Sequence, residues 1–410
     1  YYICQFVLKK GKILEQQYAF KICNQAIQLL RDTEKLYYFV ELLEQKIQLI
    51  RIIQKELGEK GKVRFIARFQ AILKETIEWR ELFLKLYKEN EISPYMQHDC
   101  HIYWEQNSYA IGDIIKIRRK MFGIKREQLC EGICSERTLM RMELKQVKSQ
   151  MPIVRPIFER LGLCAEYMRA RVITSDIEMI QLAENLSGYI NNYEMEKWEE
   201  GLNILEKKLC MKIACNKQQI IRQRSLLELE KCQISTREFI EKTIEALECT
   251  IPLESVLKNK EIYLTNEEIL CIFNIGMRET SVQNQYLFVL ENICNKYIQE
   301  DKIVENISIF ELLMTEIASY LGNRQKYNQS DKMALQVLQR SLYCRRMNLI
   351  VNNLYNQVWN YRKRVEENLF VPHNYNEIVE LKRCILLTEI CQAKNKKIFL
   401  EKELENLKDN

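Results

Sequence analysis

Glycine and proline are scarce: the 410 residues hold eleven of one and five of the other. That is too little turn material for a hairpin-rich β fold. Leu, Ile, Glu, Lys and Gln dominate instead, and most of these favour helix. Histidine is scarcer still, at three. The sequence has no Walker loop, no Gly-x-Gly-x-x-Gly, no Gly-x-Ser-x-Gly and no carboxylate pair with a companion base, so neither an enzyme nor a cofactor is expected. No run of about 18 apolar residues exists, so no membrane span is expected. The fifteen cysteines contain no Cys-x-x-Cys, and most stand singly on apolar helix faces (Cys23, Cys249, Cys271, Cys294, Cys391). They read as small buried hydrophobes rather than as a disulfide framework, which points to a reducing compartment, most simply the cytoplasm. The opening stretch, Tyr1 to Leu8, lacks the basic leader of a signal peptide and starts as if mid-helix. The chain therefore reads as a fragment.

What the sequence does hold is helical periodicity. The length allows two or three domains. Apolar residues at three- and four-residue spacing run through 13–30, 36–57 and 62–89. Residues 91–107, with Ser93-Pro94 and no period, read as a linker. Segments 174–190, 192–210, 216–232, 235–249, 265–277, 281–299, 303–321, 328–346, 348–367 and 375–408 each have the length of one helix. Two of them start on a capping box, Ser235 with Glu238 and Thr265 with Glu268. Helices of this length with short connections predict antiparallel pairs, the unit of an α-solenoid. No clean tetratricopeptide consensus repeats. The expectation is an all-α chain: a helical segment at 1–90, a linker at 91–107, a compact domain at 108–168 and a tetratricopeptide-like (TPR-like) helical domain at 169–410.

Charge singles out the compact domain. Residues 111–163 carry twelve Lys and Arg against six Asp and Glu, while the whole chain carries 62 against 56. The entire positive excess thus sits in that window, together with four glycines (Gly112, Gly123, Gly132, Gly162) and two prolines (Pro152, Pro156). A basic, turn-rich block between neutral helices is the electrostatic footprint expected of a polyanion-binding module. Within it, one helix starts at Ile111 and closes at Gly123. A second runs from Lys125 to Gly132, a third follows the N-cap Ser135, and a fourth spans Ile153 to Leu161. Short helices crossing at a Gly-containing turn form a helix-turn-helix, in which one helix fits the DNA major groove.

The block resembles the lambda-repressor-like (Xre family) helix-turn-helix domain over some 53 residues. The matching positions are Gly112 and Arg119 in the first helix, Gly123-Ile124-Lys125-Arg126-Glu127-Gln128-Leu129, Ser135-Glu136-Arg137-Thr138-Leu139-Met140-Arg141-Met142-Glu143, and then Pro152 and Leu161-Gly162. Two positions depart from the family pattern: Arg126 stands for a Gln, and Met140 for a small polar residue. The resemblance implies double-stranded DNA as partner and a contact surface of Lys125, Arg126, Ser135, Glu136, Arg137, Met140, Arg141 and Lys145. Arg126 would bind phosphate and Met140 an apolar base edge. It further implies that Glu143 pairs with Arg119 to brace the domain.

A helix-turn-helix followed by about 240 helical residues also resembles the Rgg and PlcR group of peptide-sensing, quorum-sensing regulators. That likeness implies a homodimer whose C-terminal array binds a short signalling peptide. Asn353, Asn356 and Asn360 share one face of 348–367, and their amides suit an extended peptide backbone. A solvated polar face accounts for them equally well. In that group the helix-turn-helix comes first, whereas some 107 residues precede it here. Val-Glu-Leu at 40–42 and again at 379–381 hints that the N-terminal part is the tail of a preceding copy. The rival reading is a helical interaction scaffold with a structural or vestigial helix-turn-helix. His98, Cys100 and His101 lack a second ligand pair and read as a linker accident rather than a metal site. Cys130 and Cys134, about one helical turn apart, read as core.

Overall fold

The computed structural model describes residues 1–10, 13–59, 63–96, 111–147, 150–163, 172–191, 194–279, 284–299, 307–347, 349–371 and 375–409. These residues are all-α, with twenty helices and no strand among them. In order they are α1 (Tyr2–Lys10), α2 (Ile13–Asp32), α3 (Phe39–Glu59), α4 (Val63–Glu89), α5 (Ile111–Met121), α6 (Arg126–Cys130), α7 (Glu136–Glu143), α8 (Met151–Arg160), α9 (Ile177–Asn191) and α10 (Met195–Lys208). Then come α11 (Ala214–Glu230), α12 (Thr236–Glu248), α13 (Leu253–Lys258), α14 (Asn266–Gly276), α15 (Gln285–Gln299), α16 (Ile307–Asn323), α17 (Tyr327–Tyr343), α18 (Ile350–Glu366), α19 (Glu377–Ile390) and α20 (Lys394–Asp409). Among the described residues no helix is long and apolar enough to cross a membrane.

The chain forms two compact units, residues 1–103 with 314–410 and residues 104–313. This division does not follow the sequence segments 1–90, 108–168 and 169–410. In the first unit, α1–α4 share a core with the last four helices: Phe39, Leu43, Phe83 and Leu86 are buried in the same cluster as Leu342, Val358, Leu381 and Leu387. Backbone bonds tie the two stretches as well. Leu36 N–H donates to Arg345 O at 2.8 Å and Met347 N–H to Glu34 O at 2.9 Å. The Arg31 Nε donates to Ile390 O at 2.9 Å.

A chain this poor in glycine ends many of its helices on other residues. Glu34, Glu91, Cys232, Gln325, Arg345, Asn368 and Gln392 all take positive φ, and the residue after each donates its N–H back five positions, as in Lys326 to Leu321 O at 3.0 Å and Ala393 to Thr388 O at 2.9 Å. These are Schellman closures, at roughly 1–2 kcal/mol of backbone strain each for a residue with a Cβ. One of them corrects the expectation of a single helix over 375–408: Gln392 at φ 58° splits it into α19 and α20.

In the second unit the clearest departure from amphipathic patterning is α11. Asn216, Gln218, Gln219, Arg222, Gln223 and Ser225 on it are all buried, and most have matched partners. Gln218 Nε2 donates to Thr250 Oγ1 at 2.8 Å, Trp198 Nε1 to Gln223 Oε1 at 3.1 Å, and Arg222 pairs with Glu267 at 2.7 Å. A polar helix is held inside because its neighbours supply hydrogen bonds.

Candidate functional site

Residues 111–163 fold from local signals. Gly123 at φ 66° closes α5, and Gly132 at φ 69° makes the turn between α6 and α7. Ser135 caps α7, its Oγ accepting from Thr138 N–H at 3.2 Å. The Lys125 N–H donates to Gln128 Oε1 at 3.0 Å at the start of α6. Gly112 is required by packing: a Cβ there would lie 2.1 Å from Met142 O, so α5 crosses the end of α7 at backbone contact. Ile114, Ile115, Leu129, Leu139, Ile157 and Phe158 fill the interior behind it.

Glu143, at the end of α7, is the hub. Its carboxylate accepts from Arg119 Nε at 2.6 Å and Nη2 at 3.2 Å, and from Arg126 Nε at 2.7 Å. Burial pushes the carboxyl up, but the hydrogen bonds and charges of the two arginines together outweigh it and hold its pKa below the ordinary 4.5. A depressed folded pKa means the stabilisation is complete above the unfolded value and drains away as pH falls below it. Glu143→Gln is therefore expected to cost most near neutral pH. The stability gap between wild type and variant should narrow from about pH 5 downward. Thermal melts of both proteins from about pH 7 to about pH 3 check this; a gap that stays constant throughout contradicts it.

The surface residues expected from the sequence fall into two groups. Glu136, Arg137, Met140 and Arg141 stand exposed on the outer face of α7, with Met140 at 37 %. Arg137 and Arg141, one helical turn apart, make no hydrogen bond or ion pair among the described residues. Of the others, all but Lys125 have engaged side chains. Arg126, expected at a phosphate, directs its Nε to Glu143. Lys145 pairs with Asp113 at 2.6 Å, Ser135 is the cap, and Lys125 is exposed beside α6.

Sequence reading passed over Arg118, which is wholly buried. Its guanidinium forks onto Glu268, Nη2 to Oε1 at 2.8 Å and Nη1 to Oε2 at 3.0 Å. Its remaining donors reach Leu161 O at 3.0 Å, Tyr263 O at 3.2 Å and Thr250 O at 3.4 Å. Glu268, also 0 % exposed, accepts further from Thr250 Oγ1 at 2.7 Å and Thr265 N–H at 2.8 Å. Gly162 presses on the same spot, where a Cβ would meet Thr250 O at 1.9 Å. The four-helix block is thereby welded to α12 and α14. A capping box flagged Glu268, but its partner lies 150 residues away.

The asparagine face of α18 is neither an open peptide groove nor a solvated surface. Asn353 and Asn360 are fully buried. Asn353 Nδ2 donates to Thr315 Oγ1 at 2.9 Å, Asn356 Nδ2 to Ser330 Oγ at 2.8 Å, and Asn360 Nδ2 to Ser330 Oγ at 2.8 Å and Asp331 Oδ1 at 2.7 Å. These amides seam α18 to α16 and α17. Asn356 also lines a cavity of about 230 Å³, walled by Tyr355, Trp359, Phe399, Asn352 and Lys396 among others.

Cys130 is buried and Cys134 half-buried. Residues 98–101 lie outside the described residues. Among those that are described, no group of three His, Cys, Asp or Glu is placed to hold a metal.

No family model and no curated protein sequence matches the chain. Among solved structures it is similar to PlcR of Bacillus thuringiensis in complex with the peptide PapR7 and DNA, at 18% identity and a TM-score of 0.43, over 71% of this chain and 98% of that one. It is similar to ComR of S. thermophilus in complex with DNA and its signalling peptide ComS, at 15% and 0.39, over 72% and 99%. The SHP pheromone receptor Rgg2 of Streptococcus dysgalactiae matches at 9% and 0.35, again over 72% and 99%.

Proposed function

We propose that the chain is a sequence-specific DNA-binding regulator that reads duplex DNA with α7. The carrying observation is the outer face of that helix. Arg137 and Arg141 stand exposed, without partners among the described residues, on a helix whose inner face is locked by Glu143, Met142 and Leu139. Arginine forks match guanine edges in the major groove, and Met140 between them offers an apolar contact to a thymine methyl. Lys125 flanks the face and suits a backbone phosphate.

One helix reads only a few base pairs, so useful selectivity needs two half-sites and a homodimer. In this reading the helical part senses a small ligand, a short peptide, and transmits its binding as a change of about 5–150-fold in DNA affinity. The scaffold reading draws on one observation: Arg126 and Lys145 sit in internal ion pairs. Selection from a random duplex pool separates the two. A DNA reader enriches a repeated half-site spaced by one helical turn or a multiple, and sediments with DNA as a dimer. A scaffold enriches nothing.

A further inference from the structure

We propose that the cavity between α16, α18 and α20 takes a carboxylate carried on an apolar chain, with Lys396 as its anion-binding group. This rests on the reading of the helical part as a ligand sensor and names the chemistry of the ligand. Three observations converge. First, one wall is aromatic, built from Tyr355, Trp359 and Phe399, with Tyr355 and Phe399 packed edge to face at 5.5 Å. Second, Lys396 is the one charged residue among the described residues that line the cavity. Its Nζ donates to the neutral Asn352 Oδ1, and it forms no ion pair among the described residues. An ammonium with one uncharged acceptor keeps two donors for a ligand. Third, burial lowers the pKa of Lys396, against the smaller opposing pull of Cys391, Glu316, Glu34 and Cys384. A half-buried cation held mainly by an amide is a group that an incoming anion stabilises.

Size limits the occupant. At about 230 Å³ the space falls below the roughly 300–1,000 Å³ of sites for drug-sized ligands. It seats one apolar side chain with its carboxylate, and its open side leaves the rest of a longer ligand outside. Two sources share that chemistry: the C-terminal residue of a short peptide, and a free arylalkanoic or fatty acid. Ser319 also lines the cavity; its hydroxyl proton goes to Thr315 O, and its oxygen can still accept from a preceding peptide N–H, which favours the first.

The test uses the full chain and two matched pairs of probes in calorimetry. One pair is N-acetyl-Ala-Leu-Phe as free acid and as amide; the other is 3-phenylpropionate and its amide. The expected result is binding of a free acid that weakens about tenfold to a hundredfold on amidation, the range for a hydrogen bond to a charged group. Lys396→Met should abolish that difference, and Lys396→Arg should keep most of it. Circular dichroism and melting of both variants establish that they fold. Tighter binding of the tripeptide identifies the peptide source, and tighter binding of phenylpropionate the small acid. Equal binding of acid and amide, a preference that survives Lys396→Met, or no binding by any probe overturns the proposal. DNA affinity measured on the same samples without ligand reports on α7 alone, so failure here is distinct from failure of the DNA-binding reading.

Discussion

Arg137→Glu together with Arg141→Glu is expected to weaken binding to a selected duplex at least about 100-fold. A specific side-chain contact to a base edge is worth roughly 1–3 kcal/mol, and each reversal also sets a carboxylate against phosphates. Neither arginine makes an internal bond among the described residues, so circular dichroism and melting should stay unchanged. Arg126 behaves differently. Because its Nε is held by Glu143, Arg126→Ala should lower the stability of the block more than it changes the salt dependence of binding. The pair of outcomes separates a reading face from a bracing residue. Retained affinity in the double reversal contradicts the assignment of α7.

Arg118→Met should destabilise the second unit by about 3–5 kcal/mol, the range for removing one partner of a buried ion pair. The loss is large because the remaining Glu268 carboxylate keeps only Thr250 and the Thr265 N–H as donors, in a place with no access to water. Hydrogen exchange reads this locally, and protection in α5, α12 and α14 should fall together. Adding Glu268→Leu should recover much of the loss, since two apolar residues tolerate the site better than one orphaned charge. A cost below about 1 kcal/mol, or no recovery in the double variant, contradicts the account.

What the sequence made legible was local. Gly123, Gly132 and Ser135 act within a few residues of their own position, and each stands in the role its spacing implied. The face shared by Asn353, Asn356 and Asn360 was visible as a pattern. Its partners, Thr315 and Ser330, come from other helices, so the pattern alone left open what the amides bind. Arg118 and Arg119 are adjacent and chemically identical. Nothing local says that one turns to Glu143 and the other to Glu268. The split at Gln392 left no trace because a left-handed residue other than glycine carries no sequence signal. Buried α11 was recognisable as a helix by length rather than by apolar period, its interior face being glutamine, asparagine and arginine. The joining of α1–α4 to the helices after 314 is a long-range matter of core packing, which no motif records.

The central claim is that α7 reads duplex DNA. Its most direct measurement is the affinity of the full chain for a selected duplex, followed by retardation from about 50 to about 200 mM salt. The account predicts a linear fall in log affinity with log salt, with a slope that reports several phosphate contacts, and a preference over scrambled duplex that disappears in the Arg137/Arg141 variant. Affinity that ignores salt, or that treats selected and scrambled duplex alike in the wild type, would contradict it.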